Sequence, residues 1–400
     1  MIDIGTRFSN KRILFLQGPL GPFFRRLALD LKATNAKVYK INFNGGDWFF
    51  YPTNSINFRY KLEEWPVFFK KVLAELSIDV VMLFGDARPM HIVACEIAHN
   101  LGLEVLVFEE GYVRPNYITL EQSGVNAHSV IPRIPDFYLN TKLTEITTPK
   151  EVGNTFWYAA LWAILYYLSS SLLWPWFRHY KHHRPLNLLE IVPWLRSFWR
   201  KAIYAVSERN MQNILVSILS NKYFLVPLQV YNDAQISNHS KYNSIQQFIE
   251  EVVNSFATYA PKDTHLVIKH HPMDRGYHNY HALIEDLAQM YNLKDRLHYI
   301  HDQYLPTLLN HAKGTVLINS TVGLSALYHN TPLKVCGRAI YDMPGLTFTG
   351  TLDDFWCNTQ NAIPDRKLFE HFYCYLINNT QLNGSFYKRL DINNLITPEV

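Results

Sequence analysis

No D-x-D triplet and no G-x-x-x-x-G-K-[ST] run occurs in this sequence, and its opening glycine turn is not G-x-G-x-x-G. The first absence argues against the metal-held diphosphates of many nucleotide-diphosphate sugar enzymes and is compatible with a monophosphate-activated donor. The other two exclude a P-loop and a dinucleotide fingerprint. Cysteine is scarce: Cys95, Cys336, Cys357 and Cys374 form no C-x-x-C and no zinc-type pairing with histidine. Buried free thiols are therefore expected, and a disulfide framework is not. Charge is low as well, at 18% of residues, with a net +4 when the 17 histidines are neutral. That balance is too weak for nucleic acid and fits a loose attraction to an anionic membrane or substrate. The N-terminus has no basic stretch followed by an apolar run and a small-residue cleavage site, so no signal peptide is expected and the cytoplasm is the expected location.

What is plentiful is apolar and aromatic: 48% hydrophobic residues, with 25 Tyr, 24 Phe and 9 Trp. Such a chain can bury sizeable cores and still keep an amphipathic surface, a sugar site or a membrane face. Its 400 residues suit two domains better than one.

The stretch Ile13 to Pro52 reads as strand, glycine loop, helix, strand, with the turn Gln17-Gly18-Pro19-Leu20-Gly21-Pro22 and the helix over Phe23 to Ala33. The second strand runs into Asn44-Gly45-Gly46-Asp47. Ser55 to Leu76 reads as a helix interrupted by Pro66. Val80 to Phe84 is a continuous apolar run, the pattern of a strand buried on both faces, ending in Gly85-Asp86-Ala87-Arg88. Glu104 to Phe108 is the next strand, ending in Glu109-Glu110-Gly111 with Arg114 beyond. Ligands of open α/β sheets bind at the carboxyl ends of strands, which makes these polar loops the candidate sites.

Residues 139–213 break the rhythm. Phe156 to Phe177 carries no charge over a length that can span a bilayer, and basic residues follow it. A transmembrane helix, a segment lying on the membrane interface and a buried helix all fit. A second strand–helix series then runs over Tyr223–Pro227, Thr264–Lys269, Leu297–Ile300, Gly314–Ile318 and Pro332–Cys336. The expected architecture is α/β and GT-B-like: two Rossmann-like domains facing a cleft, with an inserted aromatic helical segment. Its divisions are 1–138 for the N-terminal acceptor-side domain, 139–213 for the membrane-associated insertion and 214–345 for the sugar-nucleotide domain. Residues 346–400 form C-terminal helices that pack back on the N-terminal domain.

Several loops offer chemistry. Lys269-His270-His271-Pro272 places donating groups at a strand end, where a protonated His271 would offset charge on a leaving phosphate. A surface basic loop is the alternative. Asn319-Ser320-Thr321-Val322-Gly323 opens a helix with hydroxyls and backbone N–H groups, either an anion site or a simple cap. Gly18 and Gly21 allow close approach of a ligand to the backbone, or only a tight turn. Glu109 and Glu110 offer an acid/base pair whose neutral forms burial would favour. Asp233, just past a strand, suits a nucleophile or electrostatic stabiliser, or an Asx-type turn.

Read block by block, QGPLGPFFRRLA, NFNGGDWFFYP, FGDARPMH, FEEGYVRPNYITLE, LQVYNDAQI, KHHP and INSTVGLSALYHNTPLKVCGRAIYDMPGLT resemble the capsule polysaccharide biosynthesis and export family, of the KpsS/LipB type of β-Kdo transferases. The resemblance implies a glycosyltransferase that moves β-Kdo from CMP-β-Kdo to a (lyso)phosphatidylglycerol lipid, beginning the poly-Kdo linker of a Gram-negative capsule. It implies retention, no metal and no cofactor beyond the donor. It marks Glu110 as acid/base with Glu109 second, and Asp233 as nucleophile or stabiliser. Donor contacts fall to His271, Lys269, Ser320, Thr321, Gln17 and Gly18, and sugar or acceptor contacts to Asp86, Arg88, Arg114 and Asn44. Implied partners are the cytoplasmic face of the inner membrane, a KpsC-type transferase and the capsule export complex, with no nucleic acid. A related KpsC-type block reads Glu-Asp-Gly, so Glu110 departs from it by one methylene. A nucleotide-sugar hydrolase or epimerase, and a non-enzymatic export scaffold, are the competing readings.

Overall fold

The computed structural model describes residues 7–181, 191–232, 236 and 239–389. Asp233 lies outside the described residues. The chain separates into two compact units: unit 1 is drawn from Met1–Val130, Thr144–Glu190 and Cys374–Val400, and unit 2 from Ile131–Leu143 and Ile191–Tyr373.

Unit 1 begins with β1 (Arg12–Phe15), α1 (Phe23–Ala33), β2 (Lys37–Asn42), α2 (Gly45–Phe50) and β3 (Ser55–Asn57). It continues with α3 (Trp65–Leu76), β4 (Val80–Phe84), α4 (Pro89–Asn100), β5 (Glu104–Glu110), β6 (Tyr117–Gln122) and the aromatic helix α5 (Phe156–Leu172). Pro66 sits in the first turn of α3. There its missing N–H costs nothing, so it starts that helix where the sequence suggested an interruption. A C-terminal strand, Gln381–Asn383, pairs antiparallel with β6, placing Leu382 opposite Ile118. The sheet order is C-terminal strand, β6, β5, β4, β1, β2, β3. The strands from β5 to β3 run parallel, and β6 is antiparallel to β5.

Alternation along the strands fills both faces. Phe15 and Phe108 pack with Phe24 and Leu27 on one side. Leu14 and Val107 pack with Trp65, Phe69 and Ala94 on the other. Two buried faces explain why these strands read as unbroken apolar runs.

Unit 2 carries α6 (Ile191–Ser207), β7 (Tyr223–Pro227), α7 (Ile245–Tyr259), β8 (His265–Lys269), α8 (His281–Met290), β9 (Leu297–Ile300), β10 (Gly314–Leu317), α9 (Val322–Tyr328) and β11 (Leu333–Val335). Its sheet is parallel throughout, in the order β11, β10, β7, β8, β9. Phe224, Phe248, Val252, Phe256 and Trp356 belong to one buried apolar cluster of this unit. Both units are thus Rossmann-like, each with its own core.

In each sheet the winding direction reverses once. In unit 1 the chain moves outward from β1 to β3 and returns beside β1 at β4; in unit 2 it moves from β7 to β9 and returns beside β7 at β10. These reversals open a crevice at the carboxyl ends of the strands.

The segment 139–213 does not act as one insertion. α5 belongs to unit 1, and α6 to unit 2. The uncharged run is not one continuous helix either: α5 ends at Leu172, and Trp174–Trp176 is a separate tight turn. At 17 residues α5 is about 26 Å long, short of the roughly 30 Å hydrocarbon core. Among the described residues no helix is long and apolar enough to cross a membrane.

Candidate functional site

Unit 1 gathers its polar groups at the ends of β1, β2, β4 and β5. The pleat of β5 sends Glu109 and Glu110 to opposite faces. Glu110 Oε1 accepts a 2.8 Å hydrogen bond from the Tyr387 hydroxyl, donated by the chain's C-terminal segment. Glu109 Oε1 accepts the Glu110 backbone N–H at 2.9 Å. A Cβ at Gly85 would stand 3.6 Å from Glu109 Oε2, so this carboxyl lies over the end of β4. Burial pushes Glu109 up to about 7; the Glu110 and Asp86 charges add to the rise, while the Glu110 N–H and the Arg88 guanidinium oppose it.

Beside it, Asp86 Oδ2 accepts the Val125 N–H at 3.1 Å and lies 3.1 Å from His128 Nδ1. His91 Nδ1 donates to the Gly85 carbonyl at 2.5 Å. Burial holds its ring at about 3, so His91 is neutral and Nε2 carries a lone pair. Asp86 Oδ1, Arg88 Nη1 and His91 Nε2 are buried and accept or donate no hydrogen bond. Polar atoms of this kind at a strand-end crevice are what a bound ligand would satisfy. Lys40, buried nearby and lowered to about 8 by desolvation, gives its ammonium to the Ile41 carbonyl at 2.6 Å.

The glycine-rich loops are used differently from the sequence expectation. A Cβ at Gly18 would fall 2.8 Å from the Phe24 ring, and one at Gly21 would meet Trp162 at 3.0 Å. Packing within unit 1 takes the space offered to a ligand. Gln17 and Asn44 are buried and serve α5: the Tyr166 hydroxyl accepts from Gln17 Nε2 at 2.9 Å and Asn44 Nδ2 at 2.8 Å, and donates to Asp47 Oδ1 at 3.0 Å. Asn44 also caps α2 through the Asp47 N–H. Arg114 is exposed, with Nε on the Gly111 carbonyl at 3.1 Å.

In unit 2 the loops after β7 and β10 meet across the reversal point. Gln229 Nε2 donates to Asn319 Oδ1 at 3.0 Å, and the Asn319 N–H returns to Gln229 Oε1 at 3.3 Å. Ser320 Oγ accepts the Val322 N–H at 3.2 Å, and Thr321 is the residue before α9. Gly323 packs under Tyr341, where a Cβ would stand 2.2 Å from the phenol oxygen.

After β8, His270 and His271 part company. His270 is buried and held at about 3 by desolvation, with Nδ1 on the Tyr299 hydroxyl at 2.7 Å. His271 is half-buried, and its Nδ1 accepts the Met273 N–H at 3.1 Å. A nitrogen that accepts carries a lone pair, so this ring is the neutral Nε2–H tautomer and donates through Nε2. That differs from the protonated His271 expected from sequence. Lys269 is buried, is lowered to about 8 by desolvation and donates to the His301 carbonyl at 2.7 Å, bracing β9.

Sequence reasoning missed the group beside these residues. Glu208 Oε1 lies 2.5 Å from His301 Nδ1, and Glu208 Oε2 accepts the His301 N–H at 3.0 Å and Gln303 Nε2 at 2.7 Å. Burial alone would raise the Glu208 carboxyl, but these donors outweigh it and hold it below the ordinary value. Arg275 forms an ion pair with Asp302. Tyr387 and Glu208 carry no local sequence signal, because each acts on a partner distant in the chain. Among the described residues no group of three or more His, Cys, Asp or Glu is placed to hold a metal ion.

Residues 79–387 match the family described as capsule polysaccharide biosynthesis protein. The chain belongs to that family. It is 43% identical over 391 residues to the capsule polysaccharide export protein KpsS of Escherichia coli, covering 95% of this chain and 97% of that protein. It is 41% identical over 400 residues to the capsule polysaccharide modification protein LipB of Neisseria meningitidis serogroup A, covering 98% and 95%. Among solved structures, the β-Kdo 2,7 transferase of Thermosulfurimonas dismutans KpsC aligns with 92% of this chain and 91% of its own, at 15% identity and a TM-score of 0.42. The family match spans β4 through Tyr387 and so takes in Glu109, Glu110, the Lys269–Pro272 loop and Ser320–Thr321.

Proposed function

We propose that this chain is a glycosyltransferase of capsule assembly, moving β-Kdo from CMP-β-Kdo to a (lyso)phosphatidylglycerol-type lipid at the cytoplasmic face of the inner membrane. The observation that carries the reading is the placement of Glu109 at the carboxyl end of β5 over Gly85, where burial raises its carboxyl to about 7 within the field of Arg88 and Asp86. A catalytic acid/base works best when its pKa lies close to the operating pH. Family membership and the KpsS and LipB relatives support the capsule context.

In this reading Glu109 exchanges the proton at the reacting oxygen. Glu110, fixed by Tyr387, sets the local field and keeps the strand end in place. Arg88 Nη1 and His91 Nε2 orient sugar or acceptor oxygens. In unit 2, His271 Nε2–H donates to the single phosphate of the donor, and Ser320 and Thr321 complete that contact. Asp233 keeps the nucleophile or stabiliser role given by the resemblance. Transfer proceeds with retention and without a metal. CMP, the KpsC-type transferase and the export machinery follow as donor product and partners.

Release of CMP from CMP-Kdo, measured with and without lipid for the native chain, Glu109→Gln and His271→Asn, tests the reading. Lipid-dependent release that both substitutions suppress is the expected result. Lipid-independent release would favour a hydrolase, and absence of any release in the native chain with lipid would contradict the assignment.

A further inference from the structure

Helix α6 is amphipathic in the reverse sense for a globular surface. Its side toward the rest of unit 2 is polar. Arg200 Nη1 donates to the Arg275 carbonyl at 2.7 Å and the His278 carbonyl at 3.3 Å, and Arg196 Nη1 to the Gly276 carbonyl at 3.4 Å. Tyr204 stacks on His301 with ring centres 3.5 Å apart, and Glu208 follows immediately with its bonds to His301. Gly276 admits the helix backbone, since a Cβ there would stand 2.1 Å from the Pro193 oxygen. The outward side is apolar: Val192, Leu195, Trp199, Ile203 and Val206 recur every three or four residues, and Leu195, Trp199 and Val206 are 65–71% exposed. Phe198 beside them is 77% exposed.

A helix that gives its arginines to the carbonyls of Gly276 and Arg275 and turns Trp199 to solvent leaves an apolar stripe without cover. Charge identifies the cover. Residues 191–207 contain Arg196, Arg200 and Lys201 and no Asp or Glu. An exposed apolar stripe on a helix that carries the exposed Lys201 and no acidic residue matches the interface of an anionic bilayer, where the rings sit among headgroups and an ammonium meets lipid phosphate. The sequence assigned membrane association to residues 139–213 as a whole and singled out Phe156–Phe177 within them; at α6, charged residues interrupt the apolar run.

We propose that α6 is a lipid-contact helix of unit 2, lying flat on an anionic membrane surface with the Val192–Leu195–Trp199–Val206 stripe at the headgroup–acyl boundary. The inference rests on the lipid-directed part of the reading above and is independent of the sugar chemistry. Because α6 also holds Arg275, His278 and His301, the lipid contact is rigidly joined to the loops that follow β8 and β9.

The test is vesicle partitioning of the full chain, without any sugar nucleotide, on phosphatidylcholine vesicles with and without phosphatidylglycerol. The triple variant Leu195→Ser, Trp199→Ser, Val206→Ser alters only exposed positions, and circular dichroism and a thermal midpoint verify its fold. We expect salt-sensitive binding to the phosphatidylglycerol vesicles that falls at least about tenfold in the triple variant. Leu195→Met with Trp199→Phe should retain binding, which a loss through misfolding would not explain. Unchanged partitioning of the triple variant would overturn the proposal. So would loss of self-association without loss of vesicle binding, since the stripe would then join two copies of the chain. The transferase reading can fail while this result stands, because no donor takes part.

Discussion

Glu109→Gln should stabilise the folded chain above neutral pH while suppressing transfer. The amide keeps an oxygen for the Glu110 N–H and removes the charge that burial penalises. A carboxyl raised from 4.5 to about 7 destabilises the fold by at most about 3 kcal/mol once fully ionised. Glu109 is partly exposed, so solvent screening reduces this, and we expect about 1–2 kcal/mol. The sign follows from proton binding. Between pH 4.5 and about 7 the folded state holds more protons at this site than the unfolded state, so stability falls as pH rises through that window. Above it the full penalty persists, and below it the penalty is absent. Urea unfolding of both proteins at pH 8 and pH 5 measures the effect. The variant should be the more stable at pH 8, and the difference should shrink at pH 5. A variant less stable than the native chain at pH 8, or a difference that ignores pH, would refute the buried-carboxyl argument and with it the proton role of Glu109.

His271→Asn retains a side-chain acceptor for the Met273 N–H but not the Nε2–H donor. The thermal midpoint should hold while CMP affinity, read by calorimetry, falls about tenfold to a hundredfold, the loss of one hydrogen bond to a charged phosphate. Tyr166→Phe strands the buried amide of Asn44 and removes the hydroxyl bonded to Asp47 Oδ1, while Gln17 keeps Tyr180, and should cost about 1–3 kcal/mol, with faster proteolysis around α5. The rate of CMP release should decline as pH rises past about 7, because Glu109 delivers its proton only in the neutral form.

The central parallel strands were legible because they are buried on both faces: Val80–Phe84 and Tyr223–Pro227 lie where their apolar runs place them, and Leu297–Ile300 is an edge strand with His298 and Tyr299 half-buried. β6 was hidden because Thr119 and Glu121 interrupt its pattern, although both are buried. Glu121 is tolerated there because the hydroxyls of Tyr112 and Ser129 donate to it. The helix α6 lay within the segment read as a helical, membrane-associated insertion, but its orientation was not legible, since its polar side faces protein and its apolar side faces out. At the sites, strand-end position was readable from sequence, but use was not. Gln17, Gly18 and Asn44 look like ligand contacts in a glycine-rich loop, yet their neighbours Phe24 and Tyr166 occupy that space. Lys269 looks like a phosphate ligand and is instead committed to the His301 carbonyl. Tyr387 reaches Glu110 from the far end of the chain, a contact that only the pairing of the C-terminal strand with β6 brings about.

The most direct test of the central claim is mass spectrometry of the lipid after incubation of the purified chain with CMP-Kdo and phosphatidylglycerol or its lyso form, with Glu109→Gln, Glu110→Gln and Asp233→Ala alongside. The native chain should add a single Kdo-sized mass to the lipid, and the Glu109 variant should not. Donor consumed with the lipid unchanged in mass, or full activity in Glu109→Gln, would contradict it.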